Sequence, residues 1–325
     1  MNAVSLGAFG GPDALVFGER PDPAAPPGWV VVELRAAALN WHDVLVRNGQ
    51  YDVALPRIPG ADGAGVRGDT GEAVVIAPSL HWGADDRFPA PDFEILGDHT
   101  DGTYAELVAV PEGNVLAMPA GWSWAEAAAL PLAGVTAYRA LFTRGSLQAG
   151  ETVLVLGAGS GVSTMAVALA ALAGARVLVT SSSAGKIDRA RELGADGGVL
   201  YSDADWVAQA RELAGERGVD LVIDSVGATW PDGLATLNPG GRLVAFGATA
   251  GDVAAVPVRP FYFGQHTILG TTMGSPRDFA ALLDLVGRHP SWRPVVHDVR
   301  PLARAAEAHA ELERREHFGK LVLSI

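Results

Sequence analysis

A short run of strand-forming residues, Thr152–Leu156, ends on Gly157-Ala158-Gly159-Ser160-Gly161-Val162, and the chain continues as an apolar segment of helical spacing, Val162–Ala173. No other stretch limits the possible folds as strongly. Small residues between a strand and a helix let the backbone come close to an anion. The free N–H groups and positive dipole end of the following helix then suit a pyrophosphate. The bland alternative is an ordinary glycine-rich turn, because such a string is weak evidence alone. The sequence that follows favours the phosphate reading. Strand Arg176–Thr180, helix Ala184–Leu193, strand Gly198–Tyr201, a helix from Asp205 to Ala214 and strands Val219–Asp224, Arg242–Phe246 and His266–Leu269 succeed one another. Such alternation requires a parallel sheet with helices on both faces, an α/β fold class. Gly157, Gly159, Ser160, Gly161 and Val162 are therefore expected to hold a cofactor phosphate.

Before residue 120 the pattern is different. Trp29–Leu34, Glu72–Ala77 and Tyr104–Val110 read as strands of an irregular β domain punctuated by Gly and Pro. Helices are expected at Trp124–Leu130 and Thr136–Phe142. Beyond Gly270 come helix Pro276–Gly287, strand Pro294–Val299, helix Leu302–Arg314 and strand Lys320–Ser324. The 325 residues suit two domains. A net charge of −13 argues against nucleic acid or an anionic membrane as partner. The absence of cysteine removes disulfides, iron–sulfur clusters, thiolate nucleophiles and thiolate zinc sites. The first residues lack the basic and apolar regions of a signal peptide. The most apolar stretch, Val162–Thr180, is interrupted by Gly174 and Arg176, so a cytoplasmic protein without a membrane span is expected.

The end of the second α/β strand bears on cofactor choice. An acidic residue there would bind the ribose 2′-OH of NAD. This chain instead has Thr180, Ser181, Ser182 and Ser183, with Lys186 and Arg189 close behind. Hydroxyls and a cation suit a 2′-phosphate, so NADP(H) is expected; a solvated N-cap followed by surface charges is the alternative.

Several longer segments carry a family likeness. FGGPDALVF and AAALNWHDVLVRNGQYDVALPRIPGADGAGV, followed by PLAGVTAYRAL, DSVG and HFGKLVL, resemble the quinone oxidoreductase branch of the medium-chain dehydrogenases/reductases. PSLHWGADDRFPAPDFEILGDHTDGTYAELVAVPEGNV is similar to a bacterial zinc-dehydrogenase-like subgroup. The likeness covers nearly the whole chain. It implies a GroES-like, β-rich catalytic domain from residues 1–120 and 270–325, and a Rossmann NADP-binding domain over 121–269. It also implies a homodimer joined through the Rossmann sheets near Gly264–Leu269.

By the same resemblance, Asn40 and Thr136 fall near the nicotinamide and Tyr51 matches a tyrosine proposed to face the substrate. Tyr201 falls near the adenosine phosphate, Ser225, Val226, Gly247 and Ala248 along the cofactor, and Gly319 and Lys320 at a segment closing over it. His42 is close enough in sequence to assist, whereas Asp43 is expected to brace the loop. Each position also has a plain structural reading as a turn, cap or strand end. Two departures stand out. The family's three phosphate-loop glycines fall on Gly157, Ser160 and Ser163, and the segment after Gly65 is short, which predicts a tightened surface loop.

In the zinc enzymes of this family the first ligand cysteine would fall at Asn40 and a Gly-His-Glu motif on Gly60-Ala61-Asp62. The four-cysteine lobe is missing as well. A makeshift site from His42, Asp43, Asp62 or His81 lacks the family's spacing, so no metal is expected. Without a Lewis acid, reduction of an already activated acceptor, a quinone or an α,β-unsaturated carbonyl, is the expected chemistry, with Tyr51, Asn40 and His42 as candidate catalytic groups. A zinc-dependent alcohol dehydrogenase and a non-catalytic NADPH-binding sensor or structural protein are the competing readings.

Overall fold

A computed structural model describes residues 1–325, and the chain divides into two units. The first comprises Met1–Val135 and Gly274–Ile325, the second Thr136–Met273.

The first unit opens with a hairpin, β1 (Asn2–Leu6) against β2 (Leu15–Glu19). Then follow β3 (Trp29–Ala38), α1 (Trp41–Arg47), β4 (Asp62–Arg67) and β5 (Ala73–Ile76). The short pair β6 (Ser79–Leu80) and β7 (Glu94–Ile95), β8 (Leu107–Pro111) and β9 (Val115–Ala117) complete its first β-rich stretch. Helices α2 (Trp124–Ala129) and α3 (Pro131–Tyr138) lead out of it. β3 is central: it pairs antiparallel with β4 and β8. It runs to Ala38, four residues beyond the expected strand. The alanines at 36–38 favour helix by propensity, yet each lies opposite β4, at Ala64, Gly63 and Asp62. Tertiary pairing outweighs intrinsic preference here. The hairpin from β4 to β5 turns within residues 68–72 and closes with the Arg67 N–H on Glu72 O at 2.9 Å, the tightened loop expected from the short sequence.

The second unit runs β10 (Thr152–Val155), α4 (Gly161–Leu172), β11 (Arg176–Ser181), α5 (Ala184–Glu192), β12 (Gly197–Leu200) and α6 (Trp206–Ala214). Next come β13 (Val219–Asp224), α7 (Trp230–Thr236), β14 (Leu237–Ala245), α8 (Val258–Phe263) and β15 (Thr267–Gly270). The six strands form one all-parallel sheet in the order β12-β11-β10-β13-β14-β15. Its centre is buried on both faces, as near-continuous Val and Leu runs demand.

The chain then returns to the first unit through α9 (Pro276–Gly287), β16 (Val296–Pro301), α10 (Ala305–Arg314) and β17 (Lys320–Ser324). β17 pairs antiparallel with β3, so both chain ends build one sheet. The division falls at 135/136 and 273/274, whereas the sequence placed it at 120/121 and 269/270. The reason is packing: α2 lies on β3, β4 and β17, so it belongs with the β-rich unit despite its helical character. Three short helices escaped the sequence reading, α1, α7 and α8, each of only six or seven residues.

Candidate functional site

In the parallel-sheet unit, the expected cofactor residues other than Thr136 lie at or shortly after the carboxyl ends of strands. The loop after β10 holds Gly157 at φ +74° and Gly159 at φ +119°, conformations that glycine adopts without strain. Ser160 is the N-cap of the twelve-residue α4, its hydroxyl accepting the Ser163 N–H at 3.1 Å. The serines at the family's glycine positions thus cap the helix, and Ser163 reaches back to Leu156 O at 3.3 Å. The N–H groups of Gly161 and Val162, in the first turn, have no carbonyl four residues earlier in the helix to bond, which leaves a donor pair for an anion.

At the end of β11 the serines and threonine separate into two roles. Thr180 is buried and its hydroxyl accepts the Gly157 N–H at 3.1 Å, while Ala158 N–H bonds Thr180 O at 2.7 Å. Thr180 therefore shapes the glycine-rich loop from beneath. Ser181 is also buried and accepts from the Ser183 N–H. Ser182 is exposed and Lys186 half-buried, with no acidic residue before Asp188. Tyr201, at the end of β12, is exposed. Beyond β13, the buried Asp224 carboxylate accepts the Val226 N–H at 2.6 Å and is drawn towards Gly227, fixing the turn that carries Ser225 and Val226. A Cβ at Gly247 would lie 2.9 Å from Ser225 O, so Gly247 lets the β14 end approach that turn; Ala248 follows it. Thr136, in α3, is buried and its hydroxyl has no hydrogen-bond partner in the chain. A buried orphan of this kind fits a group that a bound ligand satisfies.

In the β-rich unit, the expected residues meet unforeseen partners. The Lys320 ammonium, at the start of β17, donates to Asn40 Oδ1 at 2.5 Å and to Asp62 Oδ2 at 2.9 Å. Asn40 Nδ2 donates to the same Asp62 oxygen at 2.9 Å, and the Leu132 N–H donates to the other at 2.7 Å. Lys320 is 2% exposed and Asp62 0%. The polar ends of Asn40 and Lys320, which the resemblance sets against the cofactor, are engaged with Asp62. Gly319 precedes β17 at φ +95°. The two family ligand positions offer an amide already bound to an ammonium and, at Ala61, a methyl group. This donor set does not fit a metal ion.

Beneath α1 lies a second buried chain. Asp43 Oδ2 accepts the Asn40 N–H and the Tyr104 hydroxyl, both at 2.8 Å. Tyr104 Oη lies 3.2 Å from His309 Nε2, and Arg47 Nη1 lies 3.1 Å from His309 Nδ1. Guanidinium can only donate, so Nδ1 accepts and Nε2 carries the proton towards Tyr104. Burial and the Arg47 charge push the His309 imidazole down to about 3, so it stays neutral. Burial raises the Asp43 carboxyl to about 6, against the His42 charge, the Asn40 N–H and the Tyr104 hydroxyl. Asp43 braces α1, as expected. Tyr104, His309 and Arg47 lie 61 to 262 positions apart from their partners in this chain of contacts, and no local spacing signals them.

His42 Nε2 lies 2.6 Å from Asp98 Oδ1, and Tyr51 stands edge-on to the His42 ring with centroids 4.7 Å apart. Tyr51 is 40% exposed. Burial and the Asp98 charge raise its phenol above the ordinary value, so it remains an O–H donor at neutral pH.

A family profile for the alcohol dehydrogenase GroES-like domain matches residues 26–120, and one for the zinc-binding dehydrogenase matches residues 161–288. The chain is 34% identical to a zinc-type alcohol dehydrogenase-like protein of Schizosaccharomyces pombe, over 92% of this chain and 91% of that one. It is 31% identical to a quinone oxidoreductase of Pseudomonas aeruginosa, over 98% of each. A solved structure described as an NAD-dependent alcohol dehydrogenase superposes with a TM-score of 0.93 at 39% identity, covering 100% of both chains. No helix is long and apolar enough to cross a membrane.

Proposed function

The chain belongs to the medium-chain dehydrogenase/reductase superfamily, and on that footing we propose that it is a metal-independent, NADPH-dependent reductase of quinones or α,β-unsaturated carbonyls. The observation that carries the reading is the Lys320–Asn40–Asp62 cluster: where a catalytic zinc would need thiolate and imidazole, the chain has the Asn40 amide, already bound to the Lys320 ammonium, and the Ala61 methyl group. Alcohol oxidation leaves an alkoxide that a bound cation normally stabilises. An activated acceptor delocalises its negative charge and needs only orientation and a proton.

When bound, the reduced nicotinamide supplies the hydride. The chain's own groups do the rest. Gly157–Val162 hold the pyrophosphate at the α4 N-terminus. Ser182 and Lys186 receive the 2′-phosphate, with Thr180 and Ser181 holding the loop beneath. Tyr201, Ser225, Val226, Gly247 and Ala248 line the cofactor from the ends of their strands, and Thr136 contributes its unpaired hydroxyl. Tyr51, held protonated, offers its O–H to the acceptor oxygen. Because one solved relative is described as NAD-dependent, equal affinity for NADH and NADPH would favour NAD as the cofactor instead.

β15 is the edge strand of the parallel sheet, and α8 beside it exposes Val258, Tyr262 and Phe263. An unpaired edge with apolar neighbours invites pairing with a second copy, and the proposed assembly is a homodimer through β15. Light scattering reads it directly, and a monomer at micromolar concentration would refute it. The function is tested by comparing turnover of NADPH with a panel of quinones and enones against NADP-dependent oxidation of simple alcohols. Turnover only of alcohols would overturn it.

A further inference from the structure

The loop carrying Asp98 is built to hold that carboxylate against α1. Glu94, 9% exposed, accepts the His99 and Thr100 N–H groups at 3.1 Å and the Thr100 hydroxyl at 2.7 Å, which fixes the turn on either side of residue 98. Gly97 sits at φ +98°, and a Cβ there would meet Gly60 N at 2.9 Å. At Gly102 a Cβ would come within 2.2 Å of Gly60 O. The loop thus packs backbone to backbone on residues 59–60, and no other residue type permits that approach. The result is a His42–Asp98 contact of 2.6 Å between side chains only 9% and 10% exposed. A surface ion pair has no need of such a support.

The contact determines the imidazole's chemistry. A carboxylate only accepts, so His42 Nε2 carries a proton towards Asp98 and Nδ1 is the nitrogen left for exchange. Nδ1 has no hydrogen-bond partner within the chain. Tyr51 covers the ring edge, and the other charges bearing on His42 are Asp98 from the facing loop and Asp43 from its own helix.

We infer that His42, oriented by Asp98, delivers the proton in the reduction, with Asp98 as the positioning residue. This deepens the proposed function and rests on it. The acceptor gains a hydride from the reduced nicotinamide at carbon and one proton from His42 Nδ1, giving the hydroquinone or the saturated carbonyl. The cofactor leaves oxidised, His42 is left neutral with its Nε2 proton still on Asp98, and water restores the Nδ1 proton. Asp98 keeps the ring in the orientation and tautomer that present Nδ1, the role a carboxylate plays for a catalytic histidine elsewhere.

The test is Asp98→Asn in the whole protein, assayed with NADPH and either a naphthoquinone or cyclohexenone across pH. The expected result is a 10- to 1,000-fold lower kcat, an altered pH profile, an unchanged Kd for NADPH and partial recovery in Asp98→Glu, less than the roughly 100- to 10,000-fold of losing a general acid outright because the imidazole remains and only its orientation is lost. Nitrogen-15 spectra of histidine-labelled protein, assigned with His42→Gln, should show the neutral His42 ring, the form left after proton delivery, as the Nε2–H tautomer in the wild type and as a mixture in Asp98→Asn. Unchanged kcat and pH profile, or an Nδ1–H tautomer in the wild type, overturns the inference. A wild type that oxidises only alcohols sinks the proposed function separately; there His42 would act as base, and the same Asp98→Asn comparison still decides its role.

Discussion

Replacing Lys320 with Met should destabilise the protein by about 3–5 kcal/mol, the cost of stranding one member of a buried ion pair. The structure sets where in that range it falls. Lys320 Nζ and Asp62 Oδ2 are 2.9 Å apart and both side chains are sealed from water. At an effective dielectric near 20, such a pair attracts by about 6 kcal/mol before desolvation is subtracted. Asp62 would keep two donors, Asn40 Nδ2 and the Leu132 N–H, so the lower end of the range is expected. Adding Asp62→Asn should recover about 2 kcal/mol, because the amide oxygen still accepts from Leu132 while the uncompensated charge disappears. Urea unfolding with a common slope reads both variants. A Lys320→Met protein within about 1 kcal/mol of wild type, or one made less stable by Asp62→Asn, would refute an ionised, buried pair.

NADPH should bind at least about tenfold more tightly than NADH, roughly 1.4 kcal/mol, and Lys186→Ala should weaken NADPH alone; fluorescence titrations showing equal affinities would refute the 2′-phosphate site. Acid stability should have two regimes. His309, depressed in the folded state, costs stability as pH falls below its unfolded value near about 6.5, because only the unfolded chain then takes up that proton. Asp43, raised to about 6, works in reverse: from there down to about 4 the folded state takes up a proton first, offsetting the loss. Between about 6 and 4 the two contributions therefore cancel in the wild type, and Asp43→Asn should lose stability more steeply there by about 1.4 kcal/mol per pH unit; parallel denaturation profiles for the two proteins would contradict the network.

The parallel-sheet unit was legible because its signals are local. β10, the glycine loop and α4 are contiguous, and β11 to β13 match their sequence-derived ranges closely, since buried strands read as Val and Leu runs. β3 was half legible: its alternation shows through Leu34, but its alanines become strand only through partners more than twenty residues away. The glycine-rich loop between β10 and α4 is legible in the sequence, while the inward role of Thr180 is not, because its partner is the Gly157 N–H in another loop. In the β-rich unit Asn40, His42 and Tyr51 were singled out, yet what their side chains meet was hidden. Asp98 lies 56 residues from His42, and Lys320 lies 280 from Asn40. The family resemblance sets Lys320 in a segment closing over the cofactor. Only folding β17 beside β3 turns its ammonium onto Asp62.

The central claim is hydride transfer from NADPH to an activated acceptor without a metal. Its most direct measurement uses chelator-dialysed, metal-quantified protein, NADPH deuterated at the transferable C4 position, and an enone, with the product analysed by mass spectrometry. The account predicts one deuterium on the acceptor carbon for each cofactor oxidised, at a rate unaffected by chelation. No deuterium in the product, or turnover that appears only when zinc is restored, would contradict it.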